Sequence, residues 1–250
     1  MPDGPRELAA LLAASEYAVV LTGAGISTES GIPDFRSAGG WWEEFDPMEV
    51  ASMPTFLTTP ERFWRFHRPR IEMLAGVEPN AAHHAVAELE RRGVVKAVIT
   101  QNIDRLHAKA GTDELIEVHG SLDRGVCLRC DARISIDELV ARADAAGDGV
   151  PLCTACGFHM KSGVVLFGEA LPTHALEAAH AHAERADLML VIGTSLLVAP
   201  VSQLPGVVLG NGGTLAILTE SETPYDDRAH VRLHGRAGVE MTETLAVLGA

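Results

Sequence analysis

The chain has 250 residues, 47% of them hydrophobic, enough for one large domain or a large domain carrying a small insert. Its 34 acidic and 20 basic side chains give a net charge of −14, which disfavours non-specific binding to nucleic acid and suits basic partners such as lysine-bearing protein segments. No apolar run is long enough to span a bilayer and the start lacks a signal-peptide pattern, so the expectation is a soluble cytoplasmic protein with no membrane partner.

Residues 6–15 form a short amphipathic helix pattern, and residues 17–21 (YAVVL) are apolar and β-prone, the right length for a buried strand. That strand stops at Thr22-Gly23-Ala24-Gly25. Two glycines directly after a strand let the backbone turn tightly and approach a phosphate, whose charge the free N–H groups there attract. The dehydrogenase fingerprint places a third glycine at position 28, where this chain has Thr28, and no strand with an acidic end follows about 20 residues later. The stretch is read as a dinucleotide loop that continues over its ligand.

Residues 38–79 hold all three tryptophans and four of the seven phenylalanines, and prolines at 47, 54 and 60 separate short helices. A helical insert is expected there. Residues 80–92 predict a helix with Asn80 as N-cap and Gly93 just past its end. Residues 94–100 are the next buried strand, which delivers Gln101-Asn102-Ile103-Asp104 to its carboxyl end, where open α/β sheets bind ligands. Residues 115–118 are a further short strand, ending at His119-Gly120.

The pairs Cys127-x-x-Cys130 and Cys153-x-x-Cys156 are 22 residues apart, the pattern of a four-thiolate structural zinc site. Sulfur fills every position, so no open site is left for metal catalysis. Residues 160–169 return to the sheet, residues 173–185 form a helix, and residues 186–192 form a strand ending in Gly193-Thr194-Ser195, a second small-residue turn suited to a nucleotide. Residues 213–218 are the last clear strand, followed by Thr219 and, at the end of the chain, a helix.

Core strands near positions 17, 95, 115, 164, 188 and 214 read as near-continuous apolar runs, as in a parallel sheet covered on both faces. The expected class is α/β. A Rossmann-like parallel-sheet domain (residues 1–38, 79–120 and 160–250) binds NAD, and a helical insert (39–78) and a zinc-binding insert (121–159) form the smaller domain. The cleft between them is the expected site. No proton-relay pair accompanies a dehydrogenase fingerprint, which argues against hydride transfer and for NAD spent as a reactant. Breaking its glycosidic bond needs a nicotinamide pocket, polar groups around the ribose, and a base for a ribose hydroxyl. Asn102 and Asp104 suit the first two needs, and His119, with an ordinary pKa near neutrality, suits the third.

The runs Gly31-Ile32-Pro33-Asp34-Phe35-Arg36 and Thr100-Gln101-Asn102-Ile103-Asp104-Arg105-Leu106-His107 closely resemble two signatures of the sirtuins, the NAD-dependent protein-lysine deacylases, and further matches extend over most of the chain. The resemblance implies that the acyl-lysine carbonyl oxygen attacks the ribose carbon and nicotinamide leaves. His119 then activates the ribose hydroxyls that take over the acyl group. An NAD-dependent ADP-ribosyltransferase on the same scaffold is the alternative. By the same resemblance, Ala24, Gly25, Thr28, Phe35, Arg36, Gln101, Thr194 and Ser195 contact NAD, beside the turn glycines Gly23 and Gly193. Asn102, Ile103 and Asp104 form the nicotinamide and ribose pocket, and Phe35, His119, Val165 and Phe167 line the acyl-lysine tunnel. Thr219 stands where sirtuins commonly place an asparagine against the adenosine ribose, and Lys161-Ser162 stands where they have Arg-Pro. His67-x-x-Arg70 stands at the Tyr-x-x-Arg of members that prefer acidic acyl groups, where Arg70 would hold a carboxylate.

Overall fold

The computed structural model describes residues 4–35 and 40–249. In chain order the strands are β1 (Ala18–Thr22), β2 (Val95–Thr100), β3 (Leu115–Glu117), β4 (Gly120–Val126), β5 (Arg133–Ser135), β6 (Lys161–Val164), β7 (Leu188–Ile192), β8 (Thr214–Leu218) and β9 (Val231–Leu233). Six of them form one sheet in the order β3-β2-β1-β7-β8-β9, with every neighbouring pair parallel. Numbered within that sheet, the order is 3-2-1-4-5-6, the doubly wound order whose chain reversal beside the first strand leaves a crevice at the carboxyl ends.

The apolar runs have the reason expected of them. Every residue of β1 and β7 is buried, because both faces are covered. Val20, Leu190 and Ala216 face a core closed by the helices Gly4–Ala14, Ala81–Arg91 and Ala237–Leu248. The alternate residues Val19, Leu21, Met189 and Val191 face a second core, closed by Thr173–Arg185 and Leu204–Gly210. Truncating one such residue, for example Leu190→Ala, removes about 2–5 kcal/mol. Asn80 caps the helix Ala81–Arg91 through its side-chain oxygen, which accepts from Ala82 N–H at 2.9 Å, and His83 completes a capping box.

The strand near 164 lies elsewhere than its hydropathy suggests. β6 joins a separate antiparallel sheet in the order β5-β4-β6, and the sixth strand of the large sheet is β9. Gly120, at φ 71°, turns the chain into this smaller sheet, and a Cβ there would sit 2.1 Å from the Gly163 carbonyl oxygen.

The aromatic insert and the zinc segment share one core. Phe56, Phe63 and Trp64 pack with Leu139, Met160 and Leu166. Trp64 Nε1–H donates to the Met160 carbonyl at 3.0 Å, and Arg68 holds Asp144 with two hydrogen bonds of 2.8 Å. Of the insert's four helices, Trp41–Glu44, Pro47–Val50, Met53–Thr58 and the longer Pro60–Ala75, the last is thereby fixed against the helix Ile136–Ala145. Among the described residues, no helix is long and apolar enough to cross a membrane.

Candidate active site

The site gathers at the carboxyl ends of β1, β2, β3, β7 and β8. After β1, Gly25 N–H donates to Gly193 O at 2.8 Å, so the two glycine turns pack backbone on backbone. A Cβ on Gly193 would lie 2.2 Å from Ile26 N, and one on Gly25 would lie 2.8 Å from Gly193 Cα. Only glycine leaves this cradle open to a close-approaching ligand. The chain then enters a 3₁₀ helix, Ala24–Ser30, rather than an α-helix. Thr28, at the place of the missing third glycine, donates its hydroxyl to Gly25 O at 3.0 Å and stabilises the turn.

Past β2, Gln101 Nε2 reaches Thr194 Oγ1 at 3.0 Å and ties the two nucleotide turns together. Asn102 Nδ2 donates to Gly23 O at 3.1 Å and to Ser27 Oγ at 3.2 Å, and Ser27 Oγ–H donates to Asp104 Oδ2 at 2.7 Å. The other Asp104 oxygen accepts from Leu106 N–H at 2.9 Å. Burial pushes the Asp104 carboxyl above the usual carboxylate range, and these two donors oppose that rise. Beneath them, Thr22 Oγ1–H donates to Thr100 Oγ1 at 2.8 Å, so His107 Nε2, 3.0 Å away, is the donor to Thr22. Thr100 Oγ1 also accepts from Asn102 N–H at 3.1 Å, which seats Asn102 from below.

His119 follows β3. Its Nδ1 lies 2.9 Å from the Gln101 carbonyl, which only an N–H can satisfy. The proton is therefore on Nδ1, and the Nε2 lone pair is left for the cleft. Burial lowers the His119 pKa, and the bond to Gln101 opposes this, so the ring is neutral near pH 7. The His119 carbonyl accepts from Val165 N–H at 2.8 Å, and two residues on Phe167 N–H donates to Ala51 O at 3.0 Å. Residues 165–167 thus form a strap from His119 to the helical insert.

The departure at Lys161-Ser162 has a local explanation. Lys161 is 2% exposed, its Nζ donates to Val164 O at 2.6 Å and Ser162 O at 3.2 Å, and it pairs with Glu169 at 3.2 Å. Glu169 in turn accepts from Leu166 N–H at 2.9 Å, so the lysine shapes the strap from behind.

On the helical wall, His67 stacks on Phe63 with ring centroids 4.0 Å apart, and its Nε2 is buried without a partner. Burial, followed by the charges of Arg70 and Lys161, lowers its pKa to about 3, so it is neutral. The Arg70 guanidinium lies 3.5 Å from the Phe66 ring centroid, 4.2 Å from that of Trp41 and 4.8 Å from that of Phe45. Burial brings the Arg70 pKa down to about 10, still cationic at neutral pH.

These elements border one cleft of about 1070 Å³. It brings together Gly23, Ala24, Gly25, Thr28, Phe35, Gln101, Asn102, Ile103, Asp104 and His119 with Gly193, Thr194, Ser195 and Thr219 on the sheet side. His67, Arg70, Val165 and Phe167 border it from the other wall. Arg36 lies outside the described residues. Thr219 Oγ1 stands 3.4 Å from Ser221 Oγ, and its carbonyl accepts from Arg232 Nη1 at 2.7 Å. Sequence reasoning missed Ser27, which is 1% exposed and holds Asn102 and Asp104 together. Its signal was its place in the loop after the second turn glycine. It also missed Glu29, which accepts from Gly238 N–H at 2.7 Å and pairs with Arg236 at 3.0 Å, joining the dinucleotide loop to the C-terminal helix.

The cysteines meet as their spacing predicts. Their four sulfurs lie within 4.8 Å of one another, with Cys127–Cys156 at 3.5 Å and Cys130–Cys153 at 3.6 Å. Tetrahedral zinc with thiolates at ~2.3 Å needs sulfurs about 3.8 Å apart, so the set fits the ion.

A 3-2-1-4-5-6 sheet whose paired glycine turns face a buried Asn-Ser-Asp network and a neutral histidine defines a nucleotide-using α/β enzyme with a structural-metal module. The Sir2 family model matches residues 23–200. An NAD-dependent protein deacetylase of Caldanaerobacter subterraneus subsp. tengcongensis is 46% identical over 233 residues, 93% of this chain and 91% of the relative. An NAD-dependent protein deacylase of Archaeoglobus fulgidus is 45% identical over 239 residues, 95% of this chain and 93% of the relative. A solved Sir2 structure with a deacetylated p53 peptide and 3′-O-acetyl ADP ribose superposes with a TM-score of 0.92 at 38% identity, covering 96% of this chain and 97% of the other. A Sir2 structure bound to a propionylated peptide gives 0.90 at 38% identity, covering 100% and 99%. The chain belongs to the Sir2 family.

Proposed function

We infer that this protein is an NAD-dependent protein-lysine deacylase, which transfers the acyl group of a modified lysine to ADP-ribose and releases nicotinamide. The observation that carries the chemistry is the tautomer of His119: Gln101 O fixes the proton on Nδ1 and leaves Nε2 as a base in the cleft. NAD supplies the ribosyl carbon and the leaving nicotinamide. The glycine cradle at Gly23–Gly25 and Gly193, tied by Gln101 and Thr194, takes its diphosphate, with Ala24, Thr28, Ser195 and Phe35 around it and Thr219 toward the adenosine ribose. Asn102, Ile103 and Asp104 hold the nicotinamide end. The carboxyl of Asp104, raised by burial and fixed by Ser27, accepts a hydrogen bond from a carboxamide N–H without moving. His119 takes the proton of a ribose hydroxyl as that oxygen attacks the acyl carbon.

The acyl-lysine enters between Phe35, Val165 and Phe167, and the strap fixed by Lys161 and Glu169 forms one wall. On the other wall, His67 and the aromatic-caged Arg70 meet the acyl chain, and the guanidinium favours a chain that ends in a carboxylate. The four cysteines hold structural zinc, which fixes the smaller unit and takes no part in the chemistry. We propose that the protein works as two units, the parallel sheet with its helices and the pair of inserts, and that it acts in the cytoplasm on protein lysines rather than on nucleic acid.

The test is incubation with NAD and acyl-lysine peptides, followed by mass spectrometry of the peptide and assay of nicotinamide. Loss of the acyl mass with stoichiometric nicotinamide is expected. A gain of one ADP-ribosyl mass on the peptide, or no nicotinamide, overturns the reading.

A further inference from the structure

A second cavity of about 350 Å³, room for roughly ten waters at ~30 Å³ each, adjoins the first. Ile71, Leu74, Asp104 and Leu122 border both cavities, so the partition between them is made of side chains. Asp104 is held there by its two donors, whereas Ile71, Leu122 and the half-buried Leu74 are held by apolar packing alone. Apolar wall is added by Ala75 and Val140, which do not border the main cleft.

The outer walls come from three separate parts of the chain, the helix Pro60–Ala75, the helix Ile136–Ala145 and the segment after β2. They are held together by side-chain contacts at the rim. Lys109 Nζ donates to Val77 O at 2.6 Å and Ala75 O at 3.2 Å, and Arg68 pairs with Asp144. These rim contacts lie at the solvent edge of the apolar core that Ile71 and Leu122 share with Leu139. The charged lining is balanced, with Arg68, Arg105 and Lys109 against Glu72, Asp104 and Asp137. The balanced lining carries no net charge, so it selects for neither an anion nor a cation.

Resting on the function proposed above, we propose that this second cavity is the passage by which nicotinamide leaves and re-enters the Asp104 pocket. Once the glycosidic bond has broken, ADP-ribose and the acyl-lysine still fill the front of the main cleft. The leaving group is a neutral aromatic amide, matched to apolar walls with a charge-balanced rim. The side chains of Ile71, Leu74 and Leu122 give way to it, while the carboxyl of Asp104 stays on its two donors.

The passage is tested by filling it from positions outside the main cleft, with Ala75→Trp, at an exposed site, and independently with Val140→Trp. Two rates are measured with NAD and an acyl peptide: nicotinamide release in a single turnover, and incorporation of labelled nicotinamide into NAD. Both are expected to fall about tenfold in each variant, while calorimetric binding of ADP-ribose and of peptide, zinc content and melting temperature stay as in the wild type. Wild-type rates in variants that fold overturn the passage alone. A wild-type protein that releases no nicotinamide overturns the functional reading, and the passage with it.

Discussion

At the scale of one residue, the proton on His119 Nδ1 leaves Nε2 free for the role of base proposed above. His119→Ala is expected to lower kcat about 10²- to 10⁴-fold with zinc and melting temperature unchanged, measured by nicotinamide release and metal analysis. Because burial lowers its pKa, kcat/KM is expected to rise with pH and to level off below the usual histidine value of about 6.5. A profile that levels off above pH 7 assigns the base elsewhere. Three other histidines control stability in acid. His67 and His107 are held at about pKa 3 and His83 at about 4, in each case chiefly by burial. Folded values below the unfolded one mean that the unfolded chain binds the extra protons. Stability is then full above about pH 6.5 and is lost as pH falls toward the folded values, by up to ~1.4 kcal/mol per pH unit for each histidine. Denaturant titrations at pH 7, 6 and 5 measure this, and His67→Phe should flatten the slope. Arg70→Ala is expected to lower kcat/KM for succinyl-lysine about 10- to 100-fold more than for acetyl-lysine. Equal losses on both peptides remove Arg70 from acyl selection.

At the scale of elements, the strands that were legible in the sequence are those that build the sheet interior. β1, β2, β7 and β8 are near-continuous apolar runs because both faces of the sheet are covered, and the turn glycines after β1 and β7 mark the nucleotide side. β6 was misplaced and β9 was missed, for opposite reasons. Val164 and Leu166 are apolar because they close the small module's core with Phe56 and Trp64, while Val165 between them borders the cleft. β9 has three residues, and Arg232 at its centre breaks the apolar pattern. That arginine has work outside the strand. Its Nη1 donates to Thr219 O at 2.7 Å, its Nη2 to Ser221 O at 2.7 Å, and its Nε to Asp226 at 3.0 Å. Arg232→Ala is therefore expected to loosen residues 219–226 and raise the KM for NAD about tenfold with little change in kcat. A matching fall in kcat would show that the loop acts on the chemistry instead. In the candidate site, motif residues were readable because they sit where a strand ends. Ser27 was not, since a single serine gives no sign in one dimension that Asn102 and Asp104 converge on it.

Across the whole molecule, the zinc module and the aromatic insert stand or fall together, because they contribute to one core and are separated by main-sheet segments. Cys153→Ser is expected to lose zinc and at least about 3 kcal/mol, or roughly 6–12 °C in Tm. Its signature is distant from the metal: the Trp64 indole, donor to Met160 O, becomes wet and its emission shifts to the red. Unchanged metal content and emission would separate the two inserts. The strap at residues 165–167 reaches from one body to the other, with His119 O at one end and Ala51 O and Met53 N at the other. The same three residues border the cleft and reach the backbone of His119, so the strap links the helical insert to the segment that bears the imidazole. Any substitution that displaces one anchorage of this ribbon is therefore transmitted to the other, although the two lie far apart in the chain.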